Sequence, residues 1–349
     1  MAPSDQPHVL AEVSTKDRLH TTLPLTIAAV AQQTRKPERF LIFNDGEPAD
    51  LSADPLYQGL FALLDRQGIA WEFRAGRQKG QHLNHQQALM EAMELIWRLD
   101  DDEVPAPDTL ARLLGHMAPG VGAVAPLVRD PKEQRPLPGL ASARIEDILF
   151  APNIQWYKQE AGLREADHLF STFLYRKKAA EKCGGYCLEL SPAAFREETI
   201  LTLAMGRAGY KLLVDAASVT WHLKYPQGGV RGHQAGEYWR QDELLFRQKL
   251  KAWGIRLKKA KLIVLNNSPD DHLAFREVLP AIRAAHPNAH LIVAAAHPEI
   301  FAADGLHMIP LSEADLLTPD PEQFNIYRHL KFSPDWKEKR KEIYRRMYL

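Results

Sequence analysis

Leu95-Ile96-Trp97-Arg98-Leu99 is an apolar run that ends abruptly in four acids, Asp100-Asp101-Asp102-Glu103, followed by Val104-Pro105-Ala106-Pro107. The Pro-x-Pro segment stops a strand or helix from continuing through the acids, so they sit at the end of a strand. Carboxylates projected together repel one another. A hard divalent cation relieves that repulsion, because it takes oxygen ligands and keeps positions open for phosphate. Asp100 and Asp102 are the pair so placed; a solvated acidic turn is the other reading of the same residues.

The chain has 349 residues, room for two or three domains, with 45% hydrophobic and 25% charged residues, as in ordinary globular proteins. Lys plus Arg equals Asp plus Glu at 44 each, so no global field recruits nucleic acid or membrane. Met1-Ala2-Pro3-Ser4-Asp5 lacks the pattern of a signal peptide, and no apolar run approaches the ~20 residues of a membrane span. The expected location is cytoplasmic. Cys183 and Cys187 read as two reduced thiols near the Gly184-Gly185 turn.

His8 to Val13 reads as a strand, Leu23, Ile27 and Val30 as one helix face behind Thr22 and Pro24, and Phe40 to Phe43 as a strand ending in Asn44-Asp45-Gly46. Such continuous strands are covered on both faces, which predicts a largely parallel α/β sheet whose ligands bind beyond the carboxyl ends of the strands. A helix over Leu60 to Leu64 and a strand at Trp71-Glu72-Phe73 follow. Leu89, Met93 and Ile96 predict a helix that starts near Asn84 and His85 and runs into the Leu95 stretch. His82 and His85 read as caps or surface groups, since no carboxylate follows at zinc-site spacing. Leu110, Leu113, Leu114 and Met117 form a helix behind Asp108, and Val121 to Val128 a buried strand; Pro131 to Pro138 is a loop, and Ile145 to Tyr157 has no clear period. Phe195 to Tyr210 is a helix opened by Glu197 and Glu198 and closed by Gly209, with strands at Lys211 to Val214 and Val219 to Leu223 beyond it. Gly228 to His233 is a glycine-rich loop after His222.

In this order, Val13-Ser14-Thr15-Lys16-Asp17-Arg18, Gln33-Thr34-Arg35-Lys36-Pro37, Phe43-Asn44-Asp45-Gly46, Leu99-Asp100-Asp101-Asp102, Gly184-Gly185-Tyr186, Arg196-Glu197-Glu198-Thr199, Arg207-Ala208-Gly209-Tyr210 and His222 resemble a family 2 glycosyltransferase of the GT-A fold. The likeness spans roughly residues 8 to 235. It implies a metal-dependent, inverting transfer from a nucleotide-diphosphate sugar, with a UDP-sugar favoured. Asp100 and Asp102 match the DxD acids that bind the divalent ion, Mn2+ or Mg2+, and the donor, and His222 matches the histidine that completes the metal site. Asn44 and Asp45 stand where the family commonly has two aspartates that recognise the base, with Asn replacing the first. Glu198 matches the general base, here Glu rather than Asp, which leaves Glu197 as its competitor. Thr15, Asp17, Arg18, Asn84 and Asp101 complete the expected donor-binding set. Arg231 and His233 are inferred from chemistry alone to reach the diphosphate as a lid. The acceptor reads as a glycan hydroxyl, with a hydroxylated base in DNA as the alternative. A non-catalytic sugar-nucleotide or glycan-binding protein is the reading from another class.

These motifs place the GT-A domain at 1–240 and a linker helix at 241–259, with Leu245 to Trp253 at its centre. A small α/β domain at 260–349 follows. There Leu262 to Leu265, the helix face of Phe275, Val278, Leu279 and Ile282, and the strand His290 to Ala296 form a strand-helix-strand unit. It faintly resembles the N-terminal half of a heptosyltransferase-type GT-B protein, and no glycine-rich phosphate loop follows Leu265. Docking, acceptor presentation or homo-oligomer formation is its expected role. A basic amphipathic helix behind Ser333-Pro334, with Trp336, Ile343 and Met347 on one face, ends the chain; docking on its own protein is the expectation, and phosphate or membrane contact the alternative.

Overall fold

The computed structural model describes residues 7–131, 144–148, 162–229, 235–257, 259–287, 289–309, 311, 324–328, 341–342 and 344–345. Two compact units emerge: Met1–Gln134 with Lys158–Gly254, and Arg135–Tyr157 with Ile255–Leu349.

The first unit runs β1 (Val9–Thr15), α1 (Leu23–Ala31), β2 (Arg39–Asn44), α2 (Pro55–Arg66), β3 (Ala70–Ala75), α3 (Gln81–Leu89), β4 (Leu95–Asp100), β5 (Glu103–Pro105), α4 (Thr109–Gly115), β6 (Val121–Arg129), β7 (Leu163–Glu165), β8 (Phe173–Arg176), α5 (Lys177–Lys182), α6 (Glu197–Arg207), β9 (Lys211–His222) and α7 (Ala235–Ala252). The strands form one sheet in the order β3-β2-β1-β4-β8-β6-β9-β5, with β7 also on β9. The pairings among β1 to β4 are parallel, as is β6 with β9, while β8 is antiparallel to both its neighbours. This is the mostly parallel α/β architecture expected from strands without polar alternation: every residue of β1 is buried.

Val9, Ala11, Val13, Trp97 and Leu99 belong to an apolar core shared with α1, α2 and α4. Alternate residues of the same strands point to the other face, where the register sets Glu12 beside Arg98 and Ser14 beside Asp100. Parallel pairing also brings the carboxyl ends of β1, β2 and β4 to one rim, with Thr15 beside Asn44. The Gln33-Thr34 pair fixes the loop behind the acids. Gln33 Nε2 donates to Ala106 O at 2.8 Å and its Oε1 accepts from Leu110 N at 3.0 Å, while Thr34 N donates to Pro107 O at 2.7 Å.

Several expectations change. The helix expected to run into Leu95 stops at Leu89, and Met93 and Ile96 are outside it, because β4 is claimed by ladder bonds to β1 and β8. His82 and His85 are buried inside α3 rather than caps or surface groups. Thr22 and Asp108 occupy N-cap positions without side-chain cap bonds. The two strands after Gly209 are one, β9, bent by a register shift against β6. The expected linker helix begins earlier, at Ala235, and belongs to the first unit, where Asp242 accepts hydrogen bonds from Ser191 and from Phe195 N. Most of Pro131 to Pro138 and of Ile145 to Tyr157, with Arg231 and His233, lies outside the described residues.

The second unit contains β10 (Lys259–Leu265), α8 (Pro269–Ala285), β11 (Ala289–Ala295), β12 (His307–Ile309) and β13 (Phe324–Arg328) in a parallel sheet, order β12-β11-β10-β13. A capping box between Ser268 and Asp271 starts α8, and Phe275, Phe301 and Tyr344 lie in one core. The strand-helix-strand unit is therefore extended by a strand on each side. Of the terminal helix, residues 341–342 and 344–345 are described and helical, with Tyr344 buried 5.5 Å from Phe275 and Lys341 paired with Glu277.

Trp97 is wholly buried at the centre of the first core. Trp97→Ala is expected to lower the stability of the first unit by about 3–5 kcal/mol, measured by urea unfolding.

Candidate active site

The acids after β4 are held individually. Asp100 is paired with Arg98 Nη1 at 3.0 Å and accepts from Ser171 Oγ at 3.0 Å. Asp101 accepts from Thr15 Oγ1 at 2.7 Å and Arg18 Nη1 at 2.6 Å. Asp102 lies 3.0 Å from His222 Nε2 and 3.1 Å from Arg18 Nη1, and it accepts from Tyr225 N at 3.1 Å. His222 reaches this place because β5 pairs with the end of β9, setting Glu103 opposite His222. Ligand atoms of Asp100, Asp102 and His222 lie within 4.8 Å of one another. Two carboxylates and an imidazole so close suit a hard or borderline divalent ion such as Mn2+ or Mg2+, so the residues fit the expected metal.

Burial raises the proton affinity of every carboxyl group here, and the neighbours decide the outcome. Against burial, the hydrogen bond and charge of His222, with Arg18, hold Asp102 down at about 2. Arg98 and His222 likewise keep Asp100 below its ordinary value. Burial pushes Asp101 up to about 6 despite Arg18. Burial and the charge of Asp100 push Glu103 up to about 8, and Glu103 shares a short hydrogen bond with the Ser171 hydroxyl.

Arg98 is 1% exposed. Besides Asp100 it binds Ser171 O, and it donates from Nη2 to Glu197 Oε1 at 2.6 Å. It thus joins the acids of β4 to the first turn of α6. Glu197 is fully buried and also accepts from Gln81 Nε2 at 3.3 Å. Glu198, the next residue, is 9% exposed, and no other described residue donates a hydrogen bond to its carboxylate. Burial and the adjacent charge of Glu197, opposed by Arg98, push Glu198 up to about 7.

The expected donor-binding residues divide. Arg18, besides its acids, donates to Gln227 O at 3.0 Å and Tyr225 O at 3.1 Å, pinning the segment after β9 to the end of β1. Gly228 fits this close approach, since a Cβ there would lie 2.7 Å from Arg18 Cγ at a φ of +75°. Asp17 is exposed, with φ 59°. Asn44 is used locally: it donates to Glu47 O at 2.7 Å and accepts from Gly46 N at 3.1 Å. Asp45 accepts from Gln78 N at 2.7 Å, Gly80 N at 3.0 Å and Asn84 Nδ2 at 3.0 Å, and Asn84 also donates to Ser14 Oγ at 2.9 Å. Asp45 and Asn84 therefore brace the loop before α3. Arg231 lies outside the described residues.

Sequence reasoning passed over Arg98, Glu103 and Ser171. For Arg98 a signal was present: a charged side chain within an otherwise apolar strand. Ser171 left none, because only the β4 and β8 pairing brings it to Asp100.

Residues 13–184 match the family model described as glycosyl transferase family 2. Those residues belong to that family. The family 2 domain has the GT-A arrangement its motifs implied, and Glu197, Glu198 and His222 lie beyond the matched residues. Similar solved structures include the mannosyltransferase PcManGT from Pyrobaculum calidifontis in complex with GDP-Man and Mn2+, at 16% identity and TM-score 0.48, covering 71% of this chain and 66% of that one. GalNAc-T7 with UDP, GalNAc and Mn2+ is 14% identical, TM-score 0.47, over 63% of this chain and 44% of that one. TarS of S. aureus is 10% identical, TM-score 0.45, over 63% of this chain and 37% of that one. The chain thus spans less than two thirds of the length of each of these proteins. No curated protein sequence matches. Among the described residues no helix is long and apolar enough to cross a membrane.

A carboxyl group whose folded-state pKa is raised contributes stability that is full below its ordinary value and is lost as the pH climbs from there through the folded value. For Glu198 the loss runs from about pH 4.5, the ordinary value, to about 7. Glu198→Gln, which cannot ionise, is expected to melt higher than the wild type at pH 8, with the gap closing towards pH 5, in a calorimetric pH series.

Proposed function

We propose that the family 2 domain is a metal-dependent, inverting glycosyltransferase that moves a sugar from a nucleotide-diphosphate sugar, a UDP-sugar by preference, to an acceptor hydroxyl of a glycan. The observation that carries this reading is the Arg98 bridge. It joins Asp100, which with Asp102 and His222 forms a set fit for a cation and a diphosphate, to Glu197, whose neighbour Glu198 has a proton affinity that suits a general base.

In this reading Asp100, Asp102 and His222 hold Mn2+ or Mg2+, which when bound neutralises charge on the leaving diphosphate. Glu198 accepts the proton of the acceptor hydroxyl as its oxygen attacks the anomeric carbon in line, which inverts that centre. Its 9% exposure, against none for Glu197, supports this role, because an acceptor must reach it. Glu197 is fully buried against Arg98 and holds the turn that presents its neighbour. The donor lies along the rim formed by Thr15, Asp17, Arg18 and Asp101. The brace built by Asp45 and Asn84 shapes the wall against which the nucleobase rests.

A thermal-shift screen against nucleotides and nucleotide sugars, with and without Mn2+, tests the donor half without an acceptor. A ligand at 100 times its Kd stabilises the folded state by about 2.7 kcal/mol. A shift for one nucleoside diphosphate that requires Mn2+ is the expected outcome, and Asp102→Ala should abolish it. No shift for any nucleotide in the presence of Mn2+ would overturn the proposal. Glu198→Gln is expected to keep the shift and to lower transfer by roughly 10²- to 10⁴-fold. The wild-type rate should rise with pH through about 7 as the base loses its proton. Retained transfer in Glu198→Gln would move the base to Glu197.

A further inference from the structure

The sheet face that carries Arg98 also carries a second buried acid, which the proposed mechanism does not use. Glu12 lies mid-strand in β1, beside Arg98 in the register, and is 0% exposed. His85 of α3, also 0% exposed, covers it, with Nδ1 2.6 Å from Glu12 Oε2 and Nε2 3.7 Å from Glu197 Oε1. A carboxylate within a strand core is costly unless paired, and an apolar pair of similar volume would serve stability as well or better. The pair therefore calls for an explanation beyond folding, and its second contact, with Glu197, leads to the candidate base.

Resting on the reading of Glu198 as base, we propose that Glu12 and His85 form a positioning unit of the transfer site: the His85 imidazolium is the second cationic neighbour of Glu197, beside Arg98, and so sets how readily Glu198 takes a proton. The groups facing His85 are Glu12 from β1, Arg98 from β4, Glu197 from α6, His82 on α3 itself, and the Tyr186 ring at 5.5 Å. Burial opposes a charge on His85, but the carboxylates of Glu12 and Glu197 outweigh it and raise its pKa above the ordinary value. The imidazolium partly cancels the Glu197 charge that Glu198 feels. Removing it should make Glu198 hold its proton more tightly, whereas removing Glu12 with it takes away one charge of each sign and should restore the balance.

The test is an NMR titration of the Glu198 side-chain carboxyl in the full chain, assigned by its disappearance in Glu198→Gln, for the wild type, His85→Gln and Glu12→Gln/His85→Gln. The expected result is a midpoint about one pH unit higher in His85→Gln, returning towards the wild-type value in the double variant. An unchanged midpoint in His85→Gln, or a double variant displaced further than the single, would overturn the proposal, since a merely structural pair produces no such reversal. Should the variants fail to fold, nitrogen NMR of the wild type decides: both ring nitrogens of His85 protonated at pH 8 supports the proposal, and a neutral ring overturns it. Turnover of a panel of UDP- and GDP-sugars with Mn2+ forms a separate arm. There the acidic limb of kcat/KM should move with the midpoint while the donor KM stays within about twofold. A displaced midpoint in a protein that turns over none of these donors supports the coupling and counts against the transferase reading.

Discussion

A guanidinium buried in the middle of a mostly parallel sheet is the constraint on which the candidate site depends. Arg98 cannot shed its charge, and taking that charge out of water costs several kcal/mol unless anions compensate it. The fold supplies Asp100 two residues along the same strand and Glu197 from the start of α6. The two carboxylates are thereby tied to one rigid group, and the acids after β4 and the first turn of α6 keep a fixed relation. A planar fork with several donors can do this. A lysine, with one point charge, could not hold both partners in a defined geometry.

The same strands divide their labour by parity. Odd positions of β1 and β4, such as Ala11, Val13, Trp97 and Leu99, pack an apolar core against α1, α2 and α4. Even positions, Glu12, Ser14, Arg98 and Asp100, carry the charges and hydrogen bonds that lead to the rim. Packing on one face holds the backbone, and the polar face inherits that rigidity without supplying it. Parallel pairing then ends β1, β2 and β4 at one edge, where polar side chains can meet a ligand beyond the carboxyl ends of the strands.

Charge at the rim is graded by environment rather than by residue type. Four adjacent acids differ in proton affinity because His222 and Arg18 face Asp102, whereas Glu103 has burial and a like charge beside it. Of the adjacent Glu197 and Glu198, the first is hydrogen-bonded to Arg98, while burial and the charge of Glu197 push the second up to about 7.

Local pattern in the sequence was enough for the α/β class, the strand ends and the acids beyond β4, because continuous apolar runs and proline stops are read over a few residues. The resemblance to family 2 motifs, rather than the pattern, named Glu197, Glu198 and His222 as candidates. Local pattern could not place the end of α3, since the Leu89, Met93 and Ile96 spacing is equally compatible with a helix, and only the ladder between β1 and β8 claims Leu95 onwards as strand. Nor could it separate Asn44 and Asp45, which brace a loop, from residues that face open space. Tertiary structure alone decided which acids met which cations. Arg98 and Glu197 are 99 positions apart, and Glu12 and His85 are 73 apart. Such pairings depend on strand register and helix docking, which are set by packing across the whole sheet and leave no periodic trace in the chain.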